Sequence, residues 1–332
     1  MAEQRIVKWG IMGPGGISDN FATELPHAPG GRLVAVAGRS LDKAQAFADK
    51  FGIPRAYGSC EELAADPDVE IVYIGTLHPI HKENALTLLR GGKSVLCEKP
   101  FTINAAEARE IAELAREKGL FLMEAMWTRY LPAIAKVREW LDSGVIGDVR
   151  IVKAEFGFDA GWNPEGRLLN KEKGGGTLLD AGIYPVSFAS MVFGGEQPAR
   201  IESAVVIGET GVDEQFSLLF EYGGGRTASL HGSVRLSMTN EAVIYGTKGR
   251  IEVPGFLFAK AATLHVKGAE PVVFEHELEP SGHFYQAIEA MECLRAGRKE
   301  SAIMTVDETV RIMETLDRVR EPWGLKYPSE QG

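Results

Sequence analysis

Two short runs, Gly13-Pro14-Gly15-Gly16-Ile17-Ser18 and Glu98-Lys99-Pro100, hold residue types whose spacing could support chemistry. In the first, Gly13 permits a tight turn, Gly15 lets a pyrophosphate approach the backbone, and a helix opening at Gly16 and Ile17 would aim its amides at the phosphates. Ser18 stands where the third glycine of a dinucleotide-binding turn would be and is small enough for close helix packing. A lone glycine pattern is weak evidence. This one follows the apolar run IVKWGIMG and opens a helical pattern, which is the context a dinucleotide site requires. Gly13, Pro14, Gly15, Gly16 and Ile17 are therefore the expected contacts. In the second run, Lys99 lies just past an apolar strand, where ligands of an open parallel sheet bind, and Pro100 restricts it to an extended conformation. Beside a cationic nicotinamide and partly desolvated, a lysine would have a lowered pKa, suited to proton traffic near neutrality.

Cofactor choice is read at the end of the second strand, VAVAGRS. No acid is present to accept from the ribose hydroxyls of NAD, whereas Arg39 and Ser40 would suit the 2′-phosphate of NADP. NADP is the expectation. NAD stays open if Arg39 is a solvated loop charge and Ser40 only caps the next helix. The spacing of His78 and His81 is one that a metal site can use, but no third ligand lies nearby in the sequence and no metal is expected. Trp127 and Arg129 could stack on and hydrogen-bond a polyol or ring substrate, although both types are also common packing residues. Phe156, Phe158 and Trp162 would add an apolar wall.

To position these groups the chain offers 332 residues, more than one hydrophobic core usually serves. Apolar runs at IVKWGIMG, RLVAVAGRS, VEIVYIGT, KSVLCEKP and LFLMEAM alternate with helical patterns and predict a doubly wound parallel sheet of the Rossmann type. Asn104 with Glu107 predicts a capping box for a helix that Gly119 ends. After a helix over 132–141 come longer runs at 149–158, 199–208, 215–222 and 226–235, with glycine-rich turns in EYGGGR and YGTKGR. A helical segment over 176–193 interrupts them, and helical spacing returns over 284–294 and 306–319. The expectation is an α/β protein: a Rossmann domain over 1–126, then an α+β substrate-binding and dimerisation domain over 127–332 with a large, mainly antiparallel open sheet. Net charge is -10, from 46 acids against 36 bases, which disfavours nucleic acid as a partner. No stretch approaches a membrane span and no signal region opens the chain, so a cytoplasmic protein is expected. Three widely spaced cysteines argue against a disulfide framework.

The glycine-rich first turn, Glu98-Lys99-Pro100 after the fourth apolar run, and GGGTLLDAGIYPV in the second domain together resemble the Gfo/Idh/MocA oxidoreductase family over essentially the whole chain. The resemblance implies that Lys99 is catalytic, that Glu98 is either structural or a partner of the lysine, with both in the cofactor-binding set, and that Thr76, His78 and His81 line the nicotinamide half of the cofactor. Many members carry a catalytic histidine four residues after an aspartate; here the positions are Asp180 and Tyr184. That substitution, with EAMWTRYLP, is similar to the branch of dimeric dihydrodiol dehydrogenases and NADP-dependent xylose dehydrogenases. It implies Tyr184 as acid/base, Lys99 polarising the reacting oxygen and tuning the phenol, and Asp180 orienting substrate or lysine. A sugar or cyclic diol is the implied substrate, and a homodimer or higher homo-oligomer through the C-terminal sheet the implied assembly. The alternatives are an NAD-dependent inositol or hexose dehydrogenase and a non-catalytic NADP-binding sensor.

Overall fold

The computed structural model describes residues 5–278 and 280–330. Two compact units emerge: one of Met1–Trp127 with Pro280–Val310, the other beginning at Thr128 and resuming at Arg311.

The first unit is built on β1 (Val7–Met12), β2 (Gly31–Ala37), β3 (Arg55–Tyr57), β4 (Ile71–Ile74), β5 (Ser94–Glu98) and β6 (Leu122–Ala125). All neighbours are parallel, in the order β3-β2-β1-β4-β5-β6. Helices α1 (Gly16–Glu24), α2 (Leu41–Phe51), α3 (Cys60–Ala65), α4 (His81–Arg90) and α5 (Ala105–Lys118) connect them. The short β3 and α3 are additions to the pattern read from the sequence, so the strand before Lys99 is the fifth. Three residues of an edge strand are too few to leave an apolar periodicity. The order reverses between β1 and β4, and the crevice at the carboxyl ends of such a reversal is where open sheets bind ligands. The expected capping box holds: Asn104 accepts from the Glu107 amide at 2.9 Å, Glu107 accepts from the Ile103 amide at 3.2 Å, and Gly119 ends α5 in the left-handed region. Under the sheet, Phe21 of α1 stacks on Tyr73 at 4.0 Å and tilts against Trp9 at 5.2 Å.

In the second unit α6 (Pro132–Asp142) precedes β7 (Val149–Gly157), a five-residue π turn (Leu178–Gly182) and α7 (Ile183–Val192). Then come β8 (Arg200–Ile207), β9 (Asp213–Tyr222), β10 (Arg226–Ser233), β11 (Ala242–Gly246), β12 (Gly249–Val253), β13 (Ala261–Val266) and β14 (Val272–Glu275). The sheet order is β14-β13-β12-β11-β7-β10-β9-β8. All pairs are antiparallel except β7 with β10, whose parallel pairing needs a crossover. That crossover contains α7, which packs on β7 and β10. The mixed α/β class and the large, mainly antiparallel sheet are as expected.

Helices α8 (Phe284–Arg295) and α9 (Val306–Arg320) close the chain. The sequence pattern assigns the whole of 127–332 to the second domain, whereas Pro280–Val310 packs in the first unit. There α8 buries Ala287, Ala290 and Met291 and packs against β2, and the Lys299 carbonyl accepts from the Leu122 amide beside β6. An apolar helix face announces that a partner exists without saying which one.

Candidate active site

At the carboxyl ends of the first unit's strands, three loops are tied together. Gly13 has φ +96°, and a Cβ there would lie 2.5 Å from Thr76 Cγ2, so only glycine lets the first turn pass the loop after β4. Ser18 is buried and donates to the Gly13 carbonyl at 2.6 Å, its Oγ filling the place of a side chain at Gly75. Pro14 packs on Gly38 at the end of β2. A Cβ on Gly15 or Gly16 would meet nothing within 4 Å, and no side chain caps the nine-residue α1 that starts there, next to Ile17. Bare backbone and uncapped amides form a cradle for an anion. Beside it, Arg39 is exposed and among the described residues has no ion-pair or hydrogen-bond partner, while Ser40 Oγ caps α2 by accepting from the Lys43 amide at 3.4 Å.

His81 joins the other two loops. Its Nε2 lies 3.0 Å from the Thr76 carbonyl, and its Nδ1 lies 3.2 Å from the carbonyls of both Pro100 and Phe101. The ring is buried and its pKa is held down by that burial, against the pull of the three carbonyls. Both nitrogens of His81 face backbone carbonyls, so its side chain braces the loops that the sequence assigns to the cofactor. Asn84 donates to Thr76 Oγ1 at 3.2 Å. His78 is buried too, 6.4 Å from the His81 ring. Glu98 is taken up inside: it accepts from Tyr73 Oη at 2.6 Å and from the Lys99 amide at 3.2 Å. Burial raises its pKa, against the hydrogen bond from Tyr73 and the charges of Lys99 and His283. Lys99 follows on a cis peptide to Pro100 and is partly exposed. Trp127 is buried in the same unit, stacked on His283 at 4.1 Å.

In the second unit Asp180 sits in the π turn and Tyr184 in the first turn of α7, both nearly buried. A π turn within a helical run is frequently found at functional sites. Phe156 meets the Tyr184 ring edge-on at 5.5 Å and Phe158 at 5.6 Å, so these three expected residues do converge. Two others do not. Arg129 is 2% exposed and donates from Nε to Ser187 Oγ at 3.1 Å and from Nη2 to the Ser187 carbonyl at 2.7 Å, bracing α7 instead of meeting solvent. Trp162 is 51% exposed, with the Arg235 guanidinium 5.2 Å over its ring. Sequence spacing missed two residues, one that pairs with Asp180 and one that holds the start of its helical run. Arg167, from the loop after β7, pairs with Asp180 at 2.6 Å and lines a cavity of about 200 Å³ with Asn163 and Leu168. Asp213, wholly buried at the start of β9, accepts from the Leu178 amide at 2.6 Å and so caps the helical run.

Residues 7–126 match the model of an oxidoreductase family with an NAD-binding Rossmann fold, and 134–252 match the GFO/IDH/MocA C-terminal domain. Trans-1,2-dihydrobenzene-1,2-diol dehydrogenases of Xenopus laevis and Homo sapiens are 42% and 41% identical to the chain, over 97% and 98% of it and 99% of each relative. The chain belongs to the Gfo/Idh/MocA family. It is an oxidoreductase, and the bare Gly15–Gly16 backbone with its uncapped helix fits the dinucleotide which that family's Rossmann domain binds. Among solved structures of similar fold, the 3-ketoreductase KijD10 of Actinomadura kijaniata in complex with NADP and TDP-benzene has a TM-score of 0.83 at 26% identity, covering 96% of this chain and 98% of that one. Aldose-aldose oxidoreductase from Caulobacter crescentus shares the fold, with a TM-score of 0.86 at 24% identity over 96% and 98% of the two chains.

Proposed function

We propose that the protein is an NADP-dependent dehydrogenase that interconverts a hydroxyl and a carbonyl on a sugar or cyclic diol. The observation that supports it most is the tied loop cluster of the first unit: an anion cradle at Gly15–Gly16, an exposed Arg39 where NAD enzymes place an acid, and Lys99 on a braced loop. The dihydrodiol dehydrogenases among the relatives favour the diol side of that substrate class. The cofactor, when bound, supplies hydride exchange with the substrate carbon. In this reading Tyr184 is the acid/base for the hydroxyl proton, Lys99 supplies an ammonium that polarises a substrate oxygen, and Asp180, held by Arg167, orients the substrate. Support for the first two roles comes from variants of KijD10 altered at a lysine and at a tyrosine: those positions are 84 residues apart, and Lys99 and Tyr184 are 85 apart.

The outer face of the eight-stranded sheet exposes Ile151, Val206 and Leu219, and we assign it to a homodimer or higher homo-oligomer. Among the described residues no helix is long and apolar enough to cross a membrane. Three buried, unpaired cysteines support a cytoplasmic setting.

Lys99→Met and Tyr184→Phe test the reading. Each is expected to lower turnover of trans-cyclic diols by roughly 100-fold or more while NADPH still binds, as followed by its fluorescence. Full turnover in either variant removes that residue from the chemistry.

A further inference from the structure

Tyr73 lies in β4, 1% exposed, directly beside Leu96 of the parallel β5. Residues two apart on a strand share a face, so Glu98 lies on the same side of β5 as Leu96, one step of about 6–7 Å nearer the carboxyl end. A tyrosine spans that step with its hydroxyl, where a phenylalanine ring stops short. Tyr73 Oη donates to Glu98 Oε1 at 2.6 Å, and the other carboxylate oxygen, Oε2, accepts from the Lys99 amide at 3.2 Å. An ionised carboxylate only accepts, so both hydrogen bonds run into it. Burial disfavours the charge of Glu98, and the hydrogen bond from Tyr73 pulls the other way. The ring that carries the hydroxyl is itself fixed. Phe21 of α1 stacks on it at 4.0 Å with an interplanar angle of 3°, and Gly75 leaves it room, since a Cβ there would lie 3.0 Å from Tyr73 Cε1. Contacts therefore run unbroken from α1, the helix of the dinucleotide turn, through Phe21, Tyr73 and Glu98 to the Lys99 amide.

On the far side of the lysine, His81 Nδ1 lies 3.2 Å from the Pro100 and Phe101 carbonyls, and the Cys97 thiol lies 3.8 Å from the Phe101 carbonyl. The backbone is thus held before and after Lys99, a residue that is itself partly exposed. We propose that Tyr73 is a positioning residue for the reaction: its hydroxyl fixes the Glu98 carboxylate, and the carboxylate fixes the Lys99 backbone from which the ammonium is presented. Tyr73 is buried beneath the loop and exchanges no proton with substrate. Without its hydroxyl a buried carboxylate oxygen loses a donor, and Glu98 either turns to other donors or takes up a proton; both loosen its grip on the amide. The proposal deepens the catalytic reading of Lys99 and rests on it for the effect on turnover, but the hold on the Lys99 amide does not depend on it.

The test has two arms. Tyr73→Phe keeps the stack on Phe21 and removes only the hydroxyl. Its kcat/KM for a trans-cyclic diol with NADP is expected to fall about tenfold or more, mainly through kcat, with NADPH affinity unchanged within about twofold. In a Lys99→Met background the same substitution is expected to change the residual turnover by less than about twofold, because Tyr73 acts through the lysine. Unchanged kcat/KM in Tyr73→Phe overturns the proposal, and so does an equal loss in both backgrounds, which is what a merely structural tyrosine would give. The second arm needs no turnover: hydrogen exchange at the Lys99 amide of the full chain. That amide is expected to be protected about tenfold or more over an unstructured chain, and to lose most of the protection in Tyr73→Phe. An amide unprotected in the unsubstituted protein, or indifferent to the substitution, overturns the positioning role. Full turnover in Lys99→Met is a separate outcome, which would refute the reading of the lysine and with it the effect of Tyr73 on turnover.

Discussion

Replacing Asp213 by asparagine removes a charge from the end of the helical run that carries Asp180 and Tyr184. Asp213 is 0% exposed, its Oδ2 takes the Leu178 amide, and among the described residues its Oδ1 has no hydrogen-bond partner. Burial pushes the carboxyl from an ordinary value of 3.8 up to about 7, against the amides of Leu178, Asp213 and Thr177 and the charge of Arg320. Arg320 counters little because Asp317 and Glu330 already engage it. A folded-state pKa above the unfolded one means that the folded chain binds the extra proton. Stability is therefore greatest below about pH 4 as far as this group is concerned, and is lost as pH rises through about 7. At about 1.4 kcal/mol per tenfold change in proton affinity, the loss has a ceiling of about 4 kcal/mol. Asparagine keeps an acceptor for Leu178 and cannot ionise. Urea unfolding of both proteins from pH 4.5 to 8 is expected to give a difference that favours Asp213→Asn increasingly with pH, by about 2–4 kcal/mol at the upper end. A difference curve independent of pH would refute the reasoning. Asp213→Ala, which leaves the Leu178 amide without its acceptor, is expected to cost about 1–2 kcal/mol even at pH 4.5, in the same urea titration.

Gly13→Ala and Gly15→Ala should separate folding from binding. The first forces a left-handed φ and a contact at 2.5 Å, and is expected to lower stability by about 1–3 kcal/mol in thermal unfolding; the second, at extended φ with open space around it, should change stability by less than about 0.5 kcal/mol yet weaken NADPH binding about tenfold or more. Arg39→Asp is expected to weaken NADPH binding by about 10- to 100-fold and NADH binding far less, measured by titration of cofactor fluorescence. Arg167→Met removes a pair whose arginine is 54% exposed, so melting should cost under about 1 kcal/mol while KM for a diol substrate rises several-fold.

Much of the first unit is legible along the chain because its signals are local. The glycine turn, the Asn104–Glu107 cap and the apolar strands each act within a few residues, and the structure keeps them. Phe156, Phe158 and Tyr184 also meet as their residue types suggest. Side-chain direction was not legible. Arg129 and Trp162 carry types that suit a substrate site, yet one points into α7 and the other lies against Arg235. His81 shows the same limit, since only the fold brings Pro100, Phe101 and Thr76 around one imidazole.

The order of residues alone determines the family, the parallel sheet, the dinucleotide turn and the lysine beyond the strand, because each depends on backbone conformations set by near neighbours. Tertiary structure decides which unit the α8 segment joins, what caps the Asp180–Tyr184 run, and which acid faces His283. Glu24 reaches Ser281 and Phe284 across 257 and 260 residues. No local propensity encodes such a meeting; it exists only once apolar faces have chosen their partners and brought the polar groups between them within hydrogen-bond reach.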